Sequence, residues 1–124
     1  MRKLLSALAL GAALSSPALA QESKTHLVVI NKAGPAWDRF AEYAAESRRH
    51  FDLYKTLADQ GLIIAGGRLD GATPDDVLGI SIFRKDVDRT AIRAKLENDP
   101  LLKAGVTALE YREWTVQMGE MRSR

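Results

Sequence analysis

The chain has 124 residues, no cysteine, and 18 basic residues against 16 acidic ones. The excess comes from Arg2 and Lys3, because residues 1–20 contain no acid, and the rest of the chain carries 16 of each sign. A balanced surface without a basic run predicts no nucleic-acid partner. The lack of cysteine excludes disulfides, thiolate nucleophiles and thiolate metal ligands.

The first twenty residues have the pattern of a cleaved signal peptide. A basic start precedes an apolar run over 4–14 and the small-x-small motif Ala18-Leu19-Ala20. The run is too short for a membrane anchor, so we expect a soluble periplasmic or secreted protein without one. We divide the mature chain into a flexible N-terminus at 21–24, one domain at 25–118 and a tail at 119–124.

The first predicted strand covers 26–30 and ends in a turn-forming segment at 31–35. A helix is predicted over 36–60, because apolar or small residues recur there at three- and four-residue intervals. These residues form one stripe, which consists of Trp37, Phe40, Ala44, Ser47, Phe51, Tyr54 and Ala58.

Residues 62–65 predict a second strand that continues through 66–69, and a turn at 70–75 connects it to a third strand at 77–84. Asp86 or Asp88 can cap a second helix, which must end before Pro100 because proline disfavours a helical conformation in the residue before it. A fourth strand is predicted over 108–118. The order βαββαβ indicates an α+β, ferredoxin-like fold, a four-stranded antiparallel sheet with two helices on one face.

Strands one and two are continuously apolar, which is typical of a sheet covered on both faces. Two helices cover only one face, so we expect a second copy of the chain to cover the other. The alternative is that the apolar runs reflect strand propensity on a small exposed sheet.

The segment Glu97-Asn98-Asp99-Pro100-Leu101-Leu102-Lys103-Ala104-Gly105-Val106 is specific enough to suggest a family. Read with Gly34-Pro35-Ala36-Trp37, His50, the Gly66-Gly67 pair and Trp114, it resembles the YCII-related (YciI-like) family. This resemblance implies a ferredoxin-like fold that assembles as a dimeric α/β barrel, and hence a homodimer.

The resemblance also implies a site. In YCII-like proteins a histidine eleven residues before the glycine that ends the helix is paired with an aspartate, and His50 and Gly61 have this spacing. We expect Asp99 to orient His50 as a general base, with Asp70 as the second candidate partner. The alternatives are a half-buried structural histidine and an aspartate that serves only to end a helix.

The Gly66-Gly67 pair would let a ligand approach strand two closely, and Arg68 beside it could hold a carboxylate or phenolate. Many relatives have Gly-Pro where this chain has Gly67-Arg68, so the pocket edge is expected to differ. The alternative is a strand bulge with a solvated arginine. His26 has no second ligand spaced for a metal, so neither a metal nor another cofactor is predicted.

Two functions fit these residues. In the first, His50 and Asp99 move a proton on a small, ring-shaped or enolisable molecule, in an isomerase or lyase type of reaction without a cofactor. In the second, the protein is a non-catalytic periplasmic module or accessory dimer that binds a small molecule, because a fold of this kind hosts many unrelated functions.

Overall fold

The computed structural model describes residues 24–122, and the predicted signal peptide lies outside them. The described chain forms four strands, which are β1 (His26–Ala33), β2 (Ile63–Arg68), β3 (Val77–Phe83) and β4 (Thr107–Trp114). It also forms three α-helices, α1 (Ala44–Asp59), α2 (Arg89–Leu96) and α3 (Pro100–Lys103), and a 3₁₀ helix at Trp37–Glu42. None of these helices has the length and apolar character needed to cross a bilayer.

The strands form one antiparallel sheet in the order β2-β3-β1-β4. Together with helices between β1 and β2 and between β3 and β4, this order is the split βαβ arrangement. The predicted ferredoxin-like fold is therefore confirmed.

The helix predicted over 36–60 is not continuous. Tyr43 has non-helical backbone angles, φ −116° and ψ 45°, and it separates the 3₁₀ helix from α1. Periodicity does not detect this break, because residues on both sides of it face the same side of the molecule. The helix α3 was also not predicted, since it begins at the proline that was expected only to end a helix.

The core lies between the sheet and the helices. Alternate residues of β1 and β3 point to the helices, as the pairing of Val29 with Ser81 requires. The buried apolar cluster consists of Leu27, Val29, Leu57, Ile63, Phe83, Val87, Ile92 and Leu96. The core of residues 24–122 therefore lies on the helix-facing side of the sheet.

Helix α2 shows how the sequence fixes an element in place. The Asp88 carboxylate caps it by accepting a hydrogen bond from the Ala91 N–H at 3.1 Å, which selects Asp88 over Asp86. Ile92 and Leu96, one turn apart, are both buried and anchor the helix in the core.

Candidate functional site

A cleft with a volume of about 960 Å³ lies between α1 and the β2–β3 side of the sheet. The cleft exists because the helix-facing side chains at this part of the sheet are small and leave space beneath α1. Gly66 on β2 pairs with Ser81 on β3. Gly79, two residues before Ser81, lies on the same face of the sheet. A volume of this size is typical of small-molecule sites.

The opposite wall of the cleft is the predicted helical stripe. Every member of the stripe except Ala44 lines the cleft. Phe40 and Phe51 remain 42% and 64% exposed, so they do not pack into the core as a typical amphipathic stripe would. The Trp37 and Phe40 rings lie 5.1 Å apart. The cleft therefore has an apolar, aromatic entrance.

His50 lines the cleft and is joined to Asp99. Its Nδ1 lies 2.5 Å from the Asp99 Oδ2, and the two side chains are 25% and 0% exposed. Because a carboxylate can only accept, Nδ1 carries the shared proton when Asp99 is ionised. The other ring nitrogen, Nε2, has no partner within residues 24–122, and His50 lines the cleft.

Asp99 is held rigidly by the local sequence. Its Oδ1 accepts a hydrogen bond from the Leu101 N–H at 2.9 Å, which caps α3, and Pro100 supplies the favoured first residue of that helix. One carboxylate oxygen thus caps a helix while the other binds His50. Both the structural and the chemical interpretation of Asp99 fit this geometry.

The loop after α3 is joined by backbone hydrogen bonds to the segment that follows β1. The Gly34 N–H donates to the Val106 carbonyl at 2.9 Å, and the Ala36 N–H donates to the Gly105 carbonyl at 2.8 Å. A Cβ on Gly34 would lie 2.4 Å from the Gly105 oxygen, so only glycine permits this approach. These contacts fix the position of Asp99 relative to the sheet.

Tyr54 completes the surroundings of His50, with the two rings 4.7 Å apart. Burial raises the pKa of Tyr54 above its ordinary value of 10, the nearby Asn31 side chain lowers it in part, and the charge of Asp99 raises it further. Tyr54 and Asn31 are close, but their polar atoms do not meet the geometry of a hydrogen bond. Tyr54 therefore remains a neutral hydroxyl beside the imidazole.

The residues predicted at the β2 edge lie at the mouth of the same cleft. Gly66, Gly67, Arg68 and Asp70 all line it, but Arg68 is 84% exposed and its Nε lies 3.9 Å from the Asp70 carboxylate. Asp70 therefore faces Arg68, and the carboxylate bonded to His50 is that of Asp99. A role for Arg68 in binding stays a prediction.

Four polar residues of the cleft wall were not predicted to belong to the site, although two of them are members of the helical stripe; the four are Asn31, Ser47, Tyr54 and Thr107. A signal was present for two of them, since Ser47 and Tyr54 stand three residues before and four residues after His50 on one helix face. Within residues 24–122, no group of three or more histidine and carboxylate side chains is arranged to hold a metal ion.

Comparison with known proteins gives a likeness to a solved structure but no family match. No family model matches the chain, and no curated protein matches it either. Among solved structures, it is similar to 5-chloro-2-hydroxyhydroquinone dehydrochlorinase from Burkholderia phenoliruptrix AC1100, in complex with 2,5-dihydroxybenzoquinone. The identity is 24%, the TM-score is 0.48, and the match covers 72% of this chain and 92% of that one. The family resemblance therefore remains an interpretation of the sequence motifs.

Proposed function

We propose that this protein is a cofactor-independent enzyme that moves a proton on a small molecule bound in the cleft. The observation that carries the proposal is the His50–Asp99 pair at the cleft wall, in which Nδ1 is bonded to a buried carboxylate and Nε2 has no partner within residues 24–122. A histidine held in this way is suited to act as a general base near neutral pH.

In the proposed step, the Nε2 lone pair takes a proton from a carbon next to a carbonyl group of the substrate. The electrons of the broken C–H bond move into the carbonyl and form an enolate, while His50 becomes an imidazolium. Asp99 stabilises that cation and prevents the ring from turning. Return of the proton to another carbon gives an isomerase, and loss of a leaving group from the enolate gives a lyase.

The walls of the cleft favour a ring-shaped substrate. Trp37, Phe40 and Phe51 provide flat apolar surfaces at the entrance, and Leu101 lines the wall beside Asp99. Aromatic side chains bury large areas of a flat ligand and exclude water from it. Exclusion of water strengthens the electrostatic effect of Asp99 on His50.

The experiment is deuterium exchange in D₂O with a set of cyclic ketones, followed by proton NMR. The wild type is expected to exchange the α-hydrogens of at least one ketone about 100-fold or more faster than His50→Gln. The matched control is His26→Gln, because His26 is bound through Nδ1 to the Phe83 carbonyl and lies outside the cleft. Equal exchange rates for wild type and His50→Gln would contradict the proposed catalysis and favour a non-catalytic binding protein.

We also propose that the protein acts as a homodimer exported from the cytoplasm. The sheet face opposite the helices carries Val28, Ile30, Ile80 and Ile82, which are only half-buried in the single chain. A second copy of the same face would bury them and close a barrel. Light scattering should give the mass of two chains beginning at Gln21, and Ile80→Lys should reduce it to one.

A further inference from the structure

The ring of Tyr54 contacts His50 and joins the proposed base to the core. The two ring centroids lie 4.7 Å apart, and the ring planes are tilted by 41°. Tyr54 follows His50 by four residues on α1, so both side chains lie on one face of the helix. The Tyr54 side chain also packs against the buried apolar cluster. The imidazole therefore contacts a ring that the core holds in place.

The hydroxyl end of Tyr54 is held by the sheet. Burial raises the pKa of Tyr54, and the nearby Asn31 side chain lowers it in part, since the hydroxyl lies close to Asn31. Asn31 pairs with Gly79 of β3 and with Leu109 of β4, so its position is fixed on both sides. Because the hydroxyl is buried, it does not reach a molecule in the open cleft. An effect of Tyr54 on the reaction must therefore pass through His50.

Tyr54 shares no hydrogen bond with the His50–Asp99 pair within residues 24–122. The Asp99 Oδ2 lies 2.5 Å from the His50 Nδ1, and the Asp99 Oδ1 accepts from the Leu101 N–H at 2.9 Å. The Tyr54 hydroxyl stays protonated, because burial raises its pKa and the charge of Asp99 raises it further. Tyr54 thus adds no second charge beside His50, and its contact with the imidazole is that of one ring with another.

A single hydrogen bond does not fix the plane of an imidazole. The bond from Nδ1 to Asp99 tolerates a range of angles. A swing within that range displaces the far nitrogen, Nε2, by on the order of 1 Å, and a misplacement of that size costs about 100-fold in rate. A contact away from the Nδ1–Asp99 line is needed to prevent the swing, and the Tyr54 ring provides one.

We propose that Tyr54 is a positioning residue for His50. Asp99 determines which nitrogen carries the proton, and the Tyr54 ring fixes the plane of the imidazole and hence the direction of the Nε2 lone pair. This inference rests on the proposed function, because the direction of Nε2 affects a rate only if His50 transfers the proton.

The first test is deuterium exchange of a cyclic ketone by Tyr54→Leu, which removes the aromatic ring and keeps an apolar side chain. The kcat is expected to fall about tenfold or more while KM changes by less than about threefold, because the cleft still binds the ketone and only the base is misplaced. A kcat within about twofold of the wild-type value would overturn the proposal.

The matched control is Tyr111→Leu. Like Tyr54, Tyr111 packs against the apolar cluster and has a buried hydroxyl without a hydrogen-bond partner, but it does not line the cleft, and its ring lies under Arg93 at 4.0 Å. Both leucine variants should lower the melting temperature, and only Tyr54→Leu should lower kcat. Equal losses of kcat would mean that Tyr54 supports the fold alone, which would overturn its assignment.

The conservative variant Tyr54→Phe separates the ring from the hydroxyl. Phenylalanine keeps the ring against His50, so kcat should stay within about threefold of the wild-type value. A loss as large as that of Tyr54→Leu would assign the effect to the hydroxyl and overturn the role of the ring.

NMR relaxation of the ¹³C-labelled His50 ring tests the contact without a substrate. Tyr54→Leu should lower the order parameter of this ring, and Tyr111→Leu should leave it at the wild-type value. An unchanged order parameter in Tyr54→Leu would overturn the inference, whether or not the protein exchanges any ketone. Absence of exchange in the wild type would contradict the proposed function instead, so the two failures give different results.

Discussion

The helix-facing side of the sheet is divided into two halves with opposite chemistry. We call one the packed half, where the side chains are large and apolar, and it consists of Leu27, Val29 and Phe83. We call the other the site half, where the side chains are small or polar, and it consists of Asn31, Gly66, Gly79, Ser81 and Thr107.

The change occurs along single strands. In β1, Leu27 and Val29 are buried in the core, and Asn31, the next residue on the same face, lines the cleft. In β3, Phe83 is in the core and Ser81 and Gly79 are in the cleft. The packed half thus contributes the hydrophobic stabilisation, and the site half gives up part of it to keep a cavity and unsatisfied polar groups.

The largest expected difference between the halves is in phenylalanine truncation. Phe83→Ala in the packed half should lower the free energy of unfolding by about 3–5 kcal/mol, since Phe83 is fully buried. Phe51→Ala at the cleft entrance should change it by less than about 1 kcal/mol, because that ring is mostly exposed. Urea unfolding of both variants measures this, and similar losses would mean that the cleft is packed in solution.

Asp99→Asn should separate activity from stability. Asparagine caps helices as well as aspartate does, so α3 and the unfolding free energy should be preserved within about 1 kcal/mol. Proton exchange should fall about 100-fold or more, because an amide cannot stabilise the imidazolium. The exchange rate and a urea curve on the same sample measure both quantities. A variant with full activity would show that Asp99 serves only to cap the helix.

Gly67 on β2 and Gly79 on β3, which pair with Ile80 and Arg68, should respond differently to alanine. A Cβ on Gly79 would lie 2.8 Å from the Gly67 carbonyl oxygen, so the backbone must shift, at a cost of about 1–3 kcal/mol. A Cβ on Gly67 would meet nothing within 4 Å, and Gly67→Ala should be neutral within about 0.5 kcal/mol. Thermal unfolding of the two variants measures both changes in stability. Equal changes would contradict the close approach of β2 to β3 at Gly79.

The smallest expected effect is on the free energy of unfolding at acidic pH. The Arg89 guanidinium, by its hydrogen bond, holds the pKa of Glu113 below its ordinary value of 4.5. A depressed folded-state pKa stabilises the protein above about pH 4.5, and this contribution is lost as the pH falls through the folded value. Because the pair is partly exposed, it is worth at most about 1 kcal/mol. Unfolding free energies at pH 3 and pH 6 should therefore differ less in Glu113→Gln than in wild type.

Much of the fold could be predicted because strand and helix periods are local properties. The order of elements and a helix cap at Asp86 or Asp88 follow from short-range pattern, and the structure selects Asp88. The break at Tyr43 and the four-residue helix α3 could not be predicted, because they depend on contacts between distant loops such as Gly34 with Gly105.

The site was harder to predict than the fold. The resemblance implied a pairing of His50 with Asp99, and the two side chains are in contact in the structure. The helical stripe was recognised, but a three-four period indicates only which side of a helix faces inward. Whether that side meets packed side chains or a cleft depends on Gly66, Gly79 and Ser81, which lie on other strands.

The most direct test of this account is the ¹⁵N NMR spectrum of His50 at a pH where the imidazole is neutral. We expect a protonated Nδ1, bonded to Asp99, and an unprotonated Nε2, and we expect Asp99→Asn to disturb this tautomer. The opposite tautomer would mean that Nε2 carries a proton and is no base, and a spectrum that Asp99→Asn leaves unchanged would mean that Asp99 does not hold the tautomer.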